Sequence, residues 1–249
     1  MHNSSVVSLV SIQRLLVVLS LTLLAACGGG SGGGSGSDSS TEQSLLQPQL
    51  FIAGAGIKGP LAFATVELYE LDARFEEFYE PGNPLAAATT NAYAEINGLA
   101  VPADIAPPYI LVIDGTNAID RNTGVAPVIS KLVTIITQEA LDSRKPVYAT
   151  PYTTLADQML KLSNFNELSL GNDLARFNQD IVQAIGFGIA AETDIFTTPP
   201  IITPDSTTSE KQQLVINYRA AIEALSSLLY KMSLPFAPTI TTDMLLELL

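Results

Sequence analysis

The chain has 249 residues, 47% of them apolar and 15% charged, the make-up of a folded protein with room for one or two domains. Its 25 acids against 12 Lys and Arg give a formal charge of -13, which repels nucleic-acid phosphate and anionic lipid headgroups and suits a cation or a basic partner instead. The single histidine, His2, and the single cysteine, Cys27, both stand at the N-terminal end and tryptophan is absent, so the chain beyond Cys27 has no Ser-His-Asp or Cys-His catalysis, no His or Cys metal site and no internal disulfide. No catalytic residue and no cofactor is therefore expected; carboxylate, Lys, Tyr and Ser/Thr chemistry remains.

Leu15 to Ala26, LLVVLSLTLLAA, is an apolar run that follows Arg14. A membrane span needs roughly 20 such residues, so this shorter run reads as the hydrophobic region of an export signal covering residues 1–26. Leu24-Ala25-Ala26-Cys27 follows directly. This tetrapeptide resembles the lipobox of bacterial lipoproteins. The resemblance implies cleavage between Ala26 and Cys27, acylation of the Cys27 thiol and amine, and attachment to a membrane by acyl chains rather than by charge. Each buried methylene contributes about 0.8 kcal/mol, so several chains hold firmly where one would be marginal. Cleavage removes Arg14 and no acid, which takes the charge to -14. Gly28 rather than Asp follows the cysteine, which in the lipoprotein class implies transfer to the outer membrane. Residues 27–48 carry GGGSGGGSGSDSST, a flexible leash with a reach of roughly 25 Å and no phosphate-loop features.

From Leu50 the texture turns to short strands bounded by Gly, Pro and Asn. Candidates are Phe51–Ile57, a strand around Ala64, Val66 and Leu68, then Ala86–Thr90, Ala92–Ile96, Tyr109–Ile113, Val128–Thr137 and Val147–Thr150. The apolar run of Tyr109–Ile113 fits a central strand. Residues 49–150 are thus expected to form an antiparallel β-sandwich. Gly56-Ile-Lys-Gly-Pro-Leu-Ala-Phe-Ala-Thr-Val-Glu-Leu-Tyr69 and the later Thr90-Asn-Ala-Tyr93 resemble carboxypeptidase-regulatory-like, transthyretin-type domains, with Phe63 and Ala92 or Ala94 where that family usually has glycine. With the lipobox, the leash and a helical tail, the arrangement resembles proteobacterial lipoproteins of undefined function. In that setting such modules are structural or binding accessories without catalysis of their own.

Two segments carry candidate ligands. Glu67 to Glu80 holds six acids beside Tyr69, Phe75, Phe78 and Tyr79, a place for a cation or a basic protein partner, although charge runs are ordinarily solvated. Asp114 to Gly124, DGTNAIDRNTG, offers Asp114, Asp120 and Asn122 as oxygen ligands, but Lys131 stands where an EF-hand needs its bidentate carboxylate. A turn-rich loop is the better reading.

Residues 151–249 shift to helical periodicity, so the whole is expected to be α+β, a sandwich followed by a small helical bundle. Thr153 or Thr154 is a candidate cap for a helix with Leu155, Met159 and Leu162; the run Thr150-Pro-Tyr-Thr-Thr-Leu-Ala156 resembles a segment of the same lipoprotein group. Asn172 or Asp173 is expected to cap a second helix through Leu174, Phe177, Ile181 and Ile185, ended by Gly186. Asp194–Pro200 reads as an extended connector. A long helix follows from Ser209 to Met232, with a seam at Leu214, Tyr218, Ala221, Leu225, Leu228 and Met232. A last helix starts at Thr241, and its apolar end, without a glycine or cationic last turn, reads as the front end of a longer protein. The functional expectation is a lipid-anchored, non-catalytic envelope protein that binds or supports a partner. The competing classes are a carboxylate-based glycoside hydrolase and a calcium-dependent adhesion module.

Overall fold

Alternation of apolar and polar residues builds most of the strands. In the computed structural model, which describes residues 50–249, Val66, Leu68, Ile110 and Ile113 are fully covered while Thr65 and Glu70 face out. The expected signal segment, Cys27 and the leash lie outside the described residues. The strands are β1 (Phe51–Gly56), β2 (Leu61–Ala62), β3 (Thr65–Glu70), β4 (Ala86–Thr89), β5 (Ile96–Ala100), β6 (Tyr109–Asp114), β7 (Ile119–Asp120), β8 (Lys131–Ile136) and β9 (Val147–Ala149). Four form an antiparallel sheet in the order β4-β3-β6-β8. β6 is apolar throughout because it lies between β3 and β8 and is buried on both faces. A second sheet has the order β5-β1-β9, in which β1 is antiparallel to β5 but parallel to β9; β2 and β7 form a two-stranded ribbon.

One expected strand is displaced. Ala92–Ile96 reads as a strand in the sequence, whereas residues 91–94 form a turn and β5 begins at Ile96. The Asn91 Oδ1 accepts the backbone N–H groups of Tyr93 (2.8 Å) and Glu95 (3.0 Å), so a side chain replaces the ladder that a strand would need.

Phe63 and Ala94, two residues that carry a Cβ, have left-handed backbone. Phe63 has φ 64° and Ala94 has φ 67°. A residue with a Cβ pays about 1–2 kcal/mol for that conformation. Thr90 holds the Phe63 turn in place: its hydroxyl donates to the Leu61 carbonyl (2.7 Å) and accepts the Ala64 N–H (2.9 Å). Phe63 is half exposed, so Phe63→Gly sacrifices little packing. It is expected to raise stability by about 0.5–1 kcal/mol, read as a higher urea midpoint. A fall in the midpoint would mean that the ring, not the turn, decides at this position.

The helices are α1 (Gln138–Ser143), α2 (Pro151–Leu162), α3 (Leu170–Ile185), α4 (Ser209–Ser233) and α5 (Thr242–Glu247). α2 starts earlier than its sequence suggests, because Thr150 rather than Thr153 or Thr154 is the cap. Thr150 accepts the Thr153 N–H, Thr153 returns the bond to the Thr150 N–H, and Pro151 fills the first turn. Thr153 and Thr154 are then free to reach β8: the Thr153 hydroxyl donates to the Val133 carbonyl (2.7 Å), and the Val133 N–H donates to Thr154 (2.9 Å). Neither Asn172 nor Asp173 caps α3. It grows instead from a 3-10 turn at Glu167–Ser169 that begins with Asn166, and Asp173 bonds Ser169 and Arg176.

The buried stripe of α4 is Val215, Tyr218, Ile222, Leu225 and Leu229, with Ala221 beside it. The expected seam shares Tyr218, Ala221 and Leu225 with it but is set one residue early elsewhere: Leu228 and Met232 are about half exposed, and the buried places are taken by their neighbours Leu229 and Ser233. α5 begins at Thr241 as expected, its hydroxyl accepting the Met244 N–H.

The fold is α+β with antiparallel sheet. Strands and helices share one buried core, in which Leu111, Ile113 and Val133 belong with Tyr152, Leu160 and Tyr218, and the described residues group as one unit.

Candidate functional site

Six of the 11 Lys and Arg of the described residues are paired with carboxylates, and this decides which cations are left for a ligand. Asp120 is nearly inaccessible. Its Oδ2 is 3.3 Å from the buried Lys58 ammonium and its Oδ1 accepts the Asn122 N–H (2.9 Å). Lys58 also reaches Glu223 on α4 at 3.2 Å; Glu223 takes the Arg219 guanidinium at 2.6 Å and the Asn122 amide at 3.3 Å. Of the three candidate cation ligands, Asp120 and Asn122 therefore belong to one network in which an ammonium already occupies the cation's place. Asp114 stands apart and caps a turn through the Thr116 N–H (2.7 Å). Among the described residues no group of three or more His, Cys, Asp or Glu has the arrangement of a metal site.

The acidic segment Glu67–Glu80 is likewise used internally. Glu77 binds Lys161 (2.8 Å) and Lys131 (3.4 Å), Glu67 accepts the Tyr69 hydroxyl (2.9 Å), and Asp72 pairs with Arg74. Tyr69, Phe78 and Tyr79 are buried beneath it, with Tyr69 and Tyr79 4.3 Å apart between ring centres. Burial pushes both phenols up to about 12, further raised by Glu67 beside Tyr69 and by Glu77 beside Tyr79.

Lys161 joins Glu77 to Asp157, one turn back on α2. The Asp157 carboxylate is wholly buried. The ammonium stands 3.0 Å from Oδ2 as an ion pair, yet neither oxygen receives an aligned hydrogen bond from the described residues. Burial outweighs the pull of Lys161 and raises Asp157 to about 6. For Glu77 the balance is reversed: burial pushes it up, but Lys161 and Lys131 bring it below the ordinary carboxylate range. An acid and a carboxylate of unequal pKa sharing one lysine is a pattern known from hydrolases. Here Asp157 has no exposed surface and lines neither of the two cavities described, so no substrate path reaches it. An acid and a lysine four residues apart on α2 were the signal in the sequence, but their burial was not readable there.

What remains open is a cleft of about 970 Å³. Its floor is β1, with Ala53, Gly54 and Ala55; Tyr148 of β9 and Ile96 of β5 flank it, and residues 197–206 with the start of α4 form the facing wall. Small side chains on β1 leave the space. Gly54 is required by close approach, since a Cβ there would lie 1.7 Å from the Val147 carbonyl oxygen.

The wall is the segment expected to be extended. It is instead a chain of turns held by buried partners. The Asp194 carboxylate accepts the Phe196 N–H and the Thr197 hydroxyl, Asn178 binds Thr193 and Ile195, and the Tyr218 hydroxyl donates to the Ile195 carbonyl while sharing a bond with Thr150. Such anchoring makes the cleft a pre-formed feature, as small-molecule sites usually are.

Its surface is mainly apolar, with Ile57, Ile201, Ile202, Leu214 and Val215, and Tyr93 stands at the rim under the Arg121 guanidinium, 5.5 Å from its ring centre. Glu95 and Asp205 also line it; Glu95 is engaged by the Asn91 amide at 2.9 Å. None of these positions stands out in the sequence, because they come from segments as far apart as residues 53 and 215 and carry no shared motif. Comparisons with protein-family models, with curated proteins and with solved structures find no match for the chain.

Proposed function

We propose that this protein is a lipid-anchored, non-catalytic binding protein of the cell envelope, held at the outer membrane through Cys27, whose folded part takes an apolar ligand into the cleft beside β1. The observation that carries the binding role is the cleft itself. Its volume lies within the range of small-molecule sites, its walls are mainly apolar, and its facing segment is held at one end by the Thr197 hydroxyl on Asp194 and at the other by the Gln212 amide on the Ser206 carbonyl. The anchor rests on Leu24-Ala25-Ala26-Cys27 after the apolar run, and the outer-membrane destination on Gly28.

A non-catalytic role draws support from the lack of histidine beyond His2 and from the internal use of Asp120, Asp157 and Glu77. We read the strand-rich part as a transthyretin-type sandwich of the carboxypeptidase-regulatory-like kind and the helices as a small bundle. Left-handed backbone at Phe63 and Ala94, the glycine-preferring positions of that family, supports this reading, as do the two main sheets.

Two measurements test the proposal. Cys27→Ser is expected to abolish incorporation of radiolabelled palmitate and to block signal processing; a variant processed and located like the parent overturns the anchor. For the cleft, the lack of any native tryptophan makes Ile202→Trp a clean reporter on the wall. With the intact chain in phosphatidylcholine vesicles, 1-decanol is expected to blue-shift its emission saturably. An emission that does not respond overturns the binding role.

A further inference from the structure

The described part of this acidic chain carries 11 Lys and Arg, and six of them (Lys58, Arg74, Lys131, Lys161, Arg176 and Arg219) are paired with carboxylates. Five make no ion pair with any described residue: Arg121, Arg144, Lys145, Lys211 and Lys231. Three of those five line the one cleft, although they arrive from separate elements. Arg121 follows β7, Lys145 precedes β9, and Lys211 lies in the first turn of α4. Arg144 and Lys145 also line the neighbouring cavity against α1.

In a protein with twice as many acids as cations, a lysine finds a carboxylate easily, so unpaired cations gathered at one apolar cleft require a reason. The nearest acids do not supply it. Glu95 is engaged by Asn91, and Asp205 offers Lys211 its backbone carbonyl, at 3.2 Å. Arg121 donates to the Tyr93 carbonyl and lies over the Tyr93 ring, which holds the guanidinium in place without neutralising it.

We propose that the ligand of the cleft is a monomeric amphiphilic anion, a carboxylate- or phosphate-headed molecule with an acyl-like body. The body lies along Ala53, Gly54 and Ala55 and against Ile201 and Leu214, and the anionic head is held by the rim cations Arg121, Lys145 and Lys211. The three cations are solvent-exposed, so each adds a modest, salt-screened attraction; together they choose the head group, while the apolar walls provide most of the affinity. A free molecule rather than a bilayer is the fitting source. The net charge of the whole chain repels an anionic membrane surface at long range, whereas a single anion that enters the cleft meets these cations first.

This inference rests on the binding role of the cleft, and one experiment separates the two. The intact chain carrying Ile202→Trp, in phosphatidylcholine vesicles, is titrated at low ionic strength with decanoate, decyl phosphate and decyltrimethylammonium. Decanoate and decyl phosphate are expected to saturate the emission shift at about tenfold lower concentration than decyltrimethylammonium. Adding Arg121→Gln, Lys145→Gln and Lys211→Gln together is expected to remove that preference while the decyl chain still binds; 0.5 M NaCl is expected to weaken it in the parent. Equal binding of all three heads overturns the anionic ligand and leaves the cleft's role standing. A shift with none of them overturns both. A preference of the chain for phosphatidylglycerol over phosphatidylcholine vesicles that the triple Gln variant loses, without any response to decanoate, assigns the cations to a membrane surface and overturns the free amphiphile.

Discussion

Replacing Lys161 with methionine is expected to destabilise the protein by about 2 kcal/mol more at pH 7.5 than at pH 5. Methionine keeps most of the side-chain volume, so the loss is of charge rather than of packing. At pH 7.5 Asp157 is ionised in the parent, wholly buried, with the Lys161 ammonium at 3.0 Å as its closest cation. Removing one partner of a buried pair leaves the other uncompensated, which costs far more than the pair itself contributes.

The pH dependence follows from the direction of the shift. Burial lifts the folded-state Asp157 from 3.8 to about 6, so the folded protein holds this proton more tightly than the unfolded chain does. The stability associated with that proton is fully present below about pH 4 and is lost as pH rises through 6, a span worth about 2–3 kcal/mol. In Lys161→Met the carboxyl titrates still higher, so at pH 5 it stays neutral and the missing ammonium matters little. Urea midpoints at the two pH values measure this; equal losses at both would place the role of Lys161 in packing or in its bond to Glu77. Asp157→Asn should flatten the same window, with a parent-minus-variant stability difference that falls by about 2–3 kcal/mol between pH 4 and 7.

The second large effect is expected at Gly54. Gly54→Ala puts a Cβ 1.7 Å from the Val147 carbonyl oxygen and 2.8 Å from its carbon, both backbone atoms in the strand paired with β1 in parallel. No rotamer relieves that clash, so β9 has to move. It cannot move alone, because Ala149 accepts the Ile57 N–H at 2.8 Å and the next residue, Thr150, caps α2 and bonds Tyr218. A cost of about 3 kcal/mol or more is expected, which corresponds to a drop of about 10 °C in melting temperature for a domain of this size. Circular dichroism measures it. A melting temperature within about 2 °C of the parent would mean that the two strands separate freely at this point. Because Gly54 is also the floor of the cleft, the reporter at Ile202 should lose affinity for decyl chains in the same variant.

Elements whose signal lies within one stretch of chain were legible in the sequence. Alternation at Ala64, Val66 and Leu68 found β3, the apolar run Tyr109–Ile113 found the strand buried on both faces, and the four-and-three spacing around Tyr218 found α4. Caps were less legible. Thr150, Thr153 and Thr154 are equivalent as short hydroxyl residues, and only the Val133 backbone, 20 residues away in sequence, assigns the last two to β8 and leaves Thr150 as the cap. The α4 stripe was misjudged for a related reason, since apolar residues stand side by side at Leu214 and Val215 and at Leu228 and Leu229, and only packing decides which of each pair faces the core.

The sequence by itself determined that histidine and cysteine stop at Cys27, that an apolar run ending in Leu24-Ala25-Ala26-Cys27 precedes a Gly/Ser stretch, and that most strands precede most helices, because each of these depends on residue type and near neighbours. Tertiary structure alone decided which charges are available. Lys58 and Lys131 read no differently from Lys145 and Lys211 along the chain, yet the first two meet Asp120 and Glu77 across distant segments, and the last two line the cleft without an ion pair to any described residue. Whether a charge is spent or free depends on which segments folding brings within about 4 Å of it, and local spacing does not encode that. The proposed anchor rests on one tetrapeptide, while the cleft exists only once residues 53 and 215 line the same space.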